Sequence, residues 1–230
     1  MSTPLFIWLG AGRARRRKVA PAGQWLDEAA RAGLPVPPGA ILLDEFYRVC
    51  LAKGLATRRG DHMIVADAEL LHNTLFYSVR LPRFGRPVFV RPVTVMPDGH
   101  AVDAADAPAF CQALVAAWTA QPDAATPDRH DVLIIEQMAT THSGTVTCLQ
   151  AAERDEVTAL IDGAETSLSL TRLRARQAAD ESLPPFARRL QMLLRGAGRT
   201  LGPGDRVVHW ADDGQVCRLI GVSAAPRAAQ

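Results

Sequence analysis

The chain has 230 residues, 48% of them hydrophobic and 22% charged, with a formal net charge of +2 at pH 7. That apolar content supports one large domain or two small lobes, and the near balance of charge is not that of a whole-molecule electrostatic nucleic-acid binder. The four cysteines, Cys50, Cys111, Cys148 and Cys217, are far apart with no C-x-x-C, and no apolar run reaches the roughly 18–20 residues of a bilayer span. No metal site and no membrane helix are therefore expected, and a reduced, cytoplasmic chain is.

Pro4 to Leu9 reads as a strand. Its basic residues follow the apolar run, the reverse of a secretory leader. Gly10-Ala11-Gly12 then turns the chain into a cationic loop of Arg13, Arg15, Arg16, Arg17 and Lys18. Apolar and small residues at helical spacing predict a helix over 24–32, stopped by Gly33. The segment Leu34-Pro35-Val36-Pro37-Pro38-Gly39 is extended, because proline fixes φ and removes donors. Ala40 to Leu43 predicts a short strand, and Asp44 is placed to cap a helix running to Lys53. A second helix is expected over 67–79, a loop over 82–87 and a strand from Val88 to Arg91-Pro92. Asp103 to Ala120 predicts a helix with Phe110, Leu114 and Trp118 on one face. A proline-bearing loop follows over 121–129. Strands are expected over 132–137, 144–151 and 157–161, then an amphipathic helix over 183–195. After Gly202-Pro203-Gly204, two apolar runs flank Asp213-Gly214, the pattern of a β-hairpin.

That hairpin, Val207-Val208-His209-Trp210-Ala211-Asp212-Asp213-Gly214 with Cys217-Arg218-Leu219-Ile220-Gly221-Val222-Ser223, resembles the closing hairpin of the ATP-grasp domain of phosphoenolpyruvate synthase and pyruvate phosphate dikinase, D-I-E-W-A…D-G…L-L-Q-A-R-P. Three earlier segments are similar to the same family in the same order. Leu26-Asp27-Glu28-Ala29-Ala30-Arg31-Ala32-Gly33-Leu34-Pro35-Val36-Pro37-Pro38-Gly39 resembles its G-G-K-A-A-N-L-A-E-M-x-R-A-G-L-P-V-P-P-G. Val88-Phe89-Val90-Arg91 resembles V-A-V-R-S-S. Val132 to Met138 with Ser143-Gly144 resembles V-V-V-Q-x-M-V…S-G-V, the strand that lies along adenine in that family.

The resemblance implies an abridged ATP-grasp-like α+β fold of two lobes with mixed or antiparallel sheets, a phosphate-binding lobe over 1–120, an adenine-strand and metal-hairpin lobe over 121–223, and a tail over 224–230. It also implies where chemistry has been lost. The family's phosphate lysine falls on Ala22, its two carboxylates on Val207 and His209, and its glutamine and second arginine on Gly221 and Ser223. Pro92 and Val93 replace the serines after the arginine. Ile161-Asp162-Gly163-Ala164-Glu165-Thr166 is the nearest counterpart of its glycine-rich segment. The family phosphohistidine belongs to another domain, so His142 does not stand for it.

Phosphoryl transfer needs cations around the phosphates and hard oxygen ligands for magnesium. No catalytic residue and no metal ligand are expected here. Arg91 either meets a phosphate or persists as a structural ion-pair partner, and Glu136, Gln137 and Met138 can line an adenine slot. The basic loop, residues 13–18, either replaces the lost lysine or faces a protein partner. The expectation is a pseudoenzyme without cofactor, acting as a structural or regulatory subunit of a larger protein assembly. The alternatives are a sensor of ATP or AMP lacking a full magnesium site, and a half-enzyme completed by a partner.

Overall fold

The computed structural model describes residues 4–60, 62–94, 101–120 and 129–225. The chain divides into two compact units. The first comprises 1–23 and 38–137, the second 24–37 and 138–230. The expected boundary near residue 120 differs from this division, because strand pairing keeps 132–137 with the first unit. The 121–128 loop and the tail beyond 225 lie outside the described residues.

In the first unit, β1 (Phe6–Trp8), β2 (Gly39–Leu42), β5 (Val88–Pro92), β6 (Ala101–Val102) and β7 (Val132–Glu136) form a sheet in the order β1-β2-β7-β5-β6. A separate hairpin joins β3 (Ala56–Arg59) to β4 (His62–Val65). All pairings of the five-stranded sheet are antiparallel. One face carries Ala40, Leu42, Val88, Val90, Val132 and Ile134, all buried. Against it pack α2 (Asp44–Ala52), α3 (Ala68–Asn73) and α4 (Ala107–Thr119) through Phe46, Leu71, Phe110, Leu114 and Trp118. The helix expected over 67–79 is capped by the Asp67 side chain and widens into a π-helical turn over Thr74–Val79.

Asp44 is not a cap. Leu43 holds that position, and Asp44 is a buried first-turn residue. Its carboxylate accepts the His130 amide at 3.0 Å, while the Asp44 amide donates to Asp131 at 2.9 Å. Burial opposes the charge on Asp44, but the His130 and Arg48 hydrogen bonds outweigh it and hold the carboxyl below its ordinary range.

The second unit contains most of α1 (Pro21–Arg31), a second five-stranded sheet and α5 (Pro185–Leu201). The strands β8 (His142–Cys148), β9 (Arg154–Ile161), β10 (Ala164–Thr171), β11 (Arg206–Asp212) and β12 (Cys217–Ala224) lie in the order β10-β9-β8-β11-β12. Every pairing is again antiparallel, so the α+β class holds while the mixed sheets allowed for above are absent among the described residues. The terminal hairpin pairs as its sequence predicts. Beside β11, opposite β12, lies β8, while the strand carrying Glu136 sits in the first unit's sheet. The Asp162-Gly163 segment is not a phosphate loop. Both residues have positive φ, 50° and 80°, and form the two-residue turn between β9 and β10.

Candidate functional site

Alternation along β11 sorts its residues between two environments. Val208, Trp210 and Asp212 face α5 and are buried. Trp210 stacks on Phe186 at 6.0 Å, and Asp212 receives two 2.7 Å hydrogen bonds from Arg189. A bulge between His209 and Trp210 resets the register of β12, so that Leu219 and Val222, three apart, both reach this core.

The opposite face gathers the four altered family positions. Val207 lies directly across from Ser223, and His209 directly across from Gly221. Val207 and Ser223 are half-buried, and His209 is 8% exposed. On the other side of β11, Thr147 pairs with Val207 and Thr145 with His209. Beyond them stand Thr158 and Glu156 of β9. The Glu156 carboxylate accepts from Ser169 at 2.8 Å, and that serine accepts from Arg154 at 2.9 Å. The sequence reading missed this hydroxyl-rich surface, although Thr145-Val146-Thr147 alternates with the period of a half-buried strand.

A face of valine, histidine, glycine, serine and threonine offers hydroxyl dipoles and one imidazole. On the neighbouring strands of this face, Glu156 stands two strands from β11. Among the described residues no three His, Cys, Asp or Glu side chains are placed to hold a metal ion.

In the first unit, Arg91 pairs in register with Leu133, which pairs in turn with Ile41. It shares their face of the sheet, away from the α4 core, and is 4% exposed. Burial pushes its guanidinium down to about 10. The Glu136 amide donates to Pro38 at 2.9 Å and the Gln137 amide to Pro87 at 2.7 Å, so both backbone donors are engaged. The Glu136 carboxylate accepts from the Gly85 amide at 3.0 Å. Met138 opens the second unit and its carbonyl accepts from Thr140. Ala22 stands half-buried in the first turn of α1.

The basic loop winds as consecutive turns, with Arg17 donating to Arg13 and Lys18 to Arg15. Ala14 and Val19 anchor it inward, leaving Arg13, Arg15, Arg16 and Lys18 exposed and Arg17 half-buried. Among the described residues no carboxylate lies within 4.0 Å of these five cations.

The chain matches no protein-family model and no curated protein. Among solved structures it is similar to D-alanine–D-alanine ligase from Helicobacter pylori, with 12% identity over 86% of this chain and 51% of that one and a TM-score of 0.51. The fold is ATP-grasp-like. Weaker likenesses are to the Bacillus anthracis D-alanine–D-alanine ligase complexed with ATP, at 12% identity over 95% of this chain and 56% of that one with a TM-score of 0.49, and to the RimK domain protein ATP-grasp from Sphaerobacter thermophilus, at 16% identity, 86% and 56% coverage and a TM-score of 0.40. The ATP-grasp-like chain spans about half the length of the Helicobacter ligase. No helix among the described residues is long and apolar enough to cross a membrane.

Proposed function

We propose that this ATP-grasp-like protein is a pseudoenzyme of the phosphoenolpyruvate synthase and pyruvate phosphate dikinase type, working in the cytoplasm as a structural or regulatory subunit of a larger protein assembly. The observation that carries the reading is the pairing of Val207 with Ser223 and His209 with Gly221. The positions where the resemblance puts two carboxylates, a glutamine and an arginine stand together on one face, so the hairpin is kept while each of these four groups is replaced. Magnesium needs several hard oxygen ligands, and the charge of a transferring phosphoryl group needs cations. Valine and histidine supply neither at the metal positions, and serine does not do the work of a guanidinium. The assignment to this family rests on the sequence motifs, since the structural likenesses above are to ligases.

The basic loop supports the partner half of the reading. Among the described residues its exposed cations have no carboxylate beside them, which suits attraction to an acidic protein surface and makes such binding salt-sensitive. A second reading, a sensor binding ATP or AMP without a full magnesium site, is favoured by Arg91 alone, which keeps the family's arginine position at the end of its strand. Engagement of the Glu136 and Gln137 amides weighs against it, because those donors are then not offered to a base.

Calorimetric titration with ATP and with AMP, each with and without magnesium, separates the readings. No heat of binding is expected. Binding indifferent to magnesium replaces the scaffold by the sensor, and magnesium-dependent binding with turnover overturns both. Partner capture from the native host is expected to fail when Arg13, Arg15, Arg16 and Arg17 are replaced by serine and to survive Arg91→Ala.

A further inference from the structure

The helix-side face of the second sheet holds a feature that the reading above does not use. Between the C-terminal half of α5, the edges of β8 to β11 and the 201–206 turn lies a cavity of about 410 Å³. Pockets that take small organic ligands begin at about that size. Leu170, Leu194, Ala197, Leu201 and Val208 give its lining an apolar part. The lining also includes Arg195, Arg199 and Arg206, and none of the three has a carboxylate oxygen within 4.0 Å among the described residues.

Arg206 is fixed in place. Its guanidinium donates to the carbonyls of Leu201 and Gly202 at 2.7 Å and of Pro203 at 3.1 Å, and lies 5.5 Å from the centre of the Trp25 ring. Those bonds satisfy orphan carbonyls at the end of α5, but they are to neutral dipoles and leave the positive charge unbalanced. Arg195 is likewise tied to a carbonyl, that of Gln177. The remaining ionisable groups do not restore balance. Asp155 is spent on Arg172, which bonds it at 2.7 Å. Burial, with Asp155 adding to it, pushes the Cys148 thiol up to about 12, so it stays neutral.

We propose that this cavity binds a small amphiphilic acid, with a carboxylate or phosphate head held by Arg195, Arg199 and Arg206 and an apolar body lying on Leu170, Leu194, Ala197 and Val208. The ligand's charge completes the electrostatics that the protein leaves open, and its body covers the apolar part of the lining. Fork-shaped guanidiniums suit both oxyanion heads. The inference stands apart from the proposed function, because the cavity opens on the α5 side of the sheet while Val207, His209, Gly221 and Ser223 face the other way.

The test is calorimetry and thermal shift on the full chain with sodium octanoate and octyl phosphate, alongside 1-octanol and inorganic phosphate. At least one of the two amphiphilic anions is expected to bind in the submillimolar range, with 1-octanol and inorganic phosphate each weaker by roughly tenfold or more. Preference for octanoate assigns the head to a carboxylate, and preference for octyl phosphate to a phosphate. An Arg195→Ala/Arg199→Ala double variant, altered at half-buried and exposed positions, is expected to weaken binding by roughly tenfold with its melting profile kept. Ala197→Leu is expected to abolish it by filling the cavity. The proposal fails if neither anion binds, if 1-octanol binds equally well, or if the double arginine variant binds like the wild type.

Discussion

Replacing Arg189 by methionine tests whether the second unit is held by a buried ion pair. Asp212 is fully buried, and its carboxylate accepts three hydrogen bonds, two from Arg189 at 2.7 Å and one from the Gly214 amide at 2.9 Å. Arg189→Met removes two of the three and leaves a carboxylate with no cation beside it, a change that costs about 3–5 kcal/mol for buried pairs. The Arg189 side chain is 27% exposed, so water softens the loss and the lower end, about 3 kcal/mol, is expected. For a unit of roughly 100 residues that lowers the melting temperature by about 12–24 °C. Replacing both partners, Arg189→Met with Asp212→Leu, leaves only the Gly214 amide unserved, at about 1 kcal/mol. The double variant is therefore expected to be more stable than Arg189→Met alone. Urea unfolding followed by circular dichroism, with calorimetry resolving the two units, measures the cycle. A loss below about 1 kcal/mol for Arg189→Met, or a double variant equal to the sum of the singles, refutes the reasoning.

Three further outcomes follow from the same geometry. Trp210, 0% exposed and stacked between strand core and Phe186, is expected to cost about 3–5 kcal/mol when cut to alanine, by the same unfolding assay. Gly144→Ala puts a methyl 2.0 Å from the Thr158 carbonyl, so a loss at or above the top of the usual 1–3 kcal/mol for overpacking is expected, with the change confined to the second unit's transition. Because the Asp44 carboxyl is held below its ordinary value, its contribution is fully present above the unfolded-state pKa of about 3.9 and is lost as pH falls through the folded value. The stability gap between wild type and Asp44→Asn is thus expected to be constant from neutral pH to about 5 and to shrink below about 3.9. A gap that widens in acid contradicts the sign of the shift.

Local chemistry was enough to read several parts of this protein from its sequence. Asp213-Gly214 between two apolar runs determines a hairpin, because only a few turn conformations connect twisted strands so tightly. The i, i+4, i+8 placement of Phe110, Leu114 and Trp118 determines a helix and its buried face. The same rule applies at Asp162-Gly163, which turns β9 into β10. The β10 strand that follows carries only Leu168 and Leu170 as large apolar residues, a short alternation among polar ones. The helix expected over 183–195 runs on through Gly196 to Leu201, and a Cβ at that glycine would meet Leu34 at 2.6 Å. Burial of the first turn likewise decides that Asp44 serves His130 and Arg48 and not a helix cap. Which strand lies beside β11 was settled by pairing between residues some sixty positions apart, and no local propensity encodes such a choice. The arginine-lined cavity has the same origin. Arg195, Arg199 and Arg206 come from one helix and the strand after it, but part of the apolar lining and the neutralised Asp155 arrive from distant strands, and only their meeting leaves the positive charge unmatched.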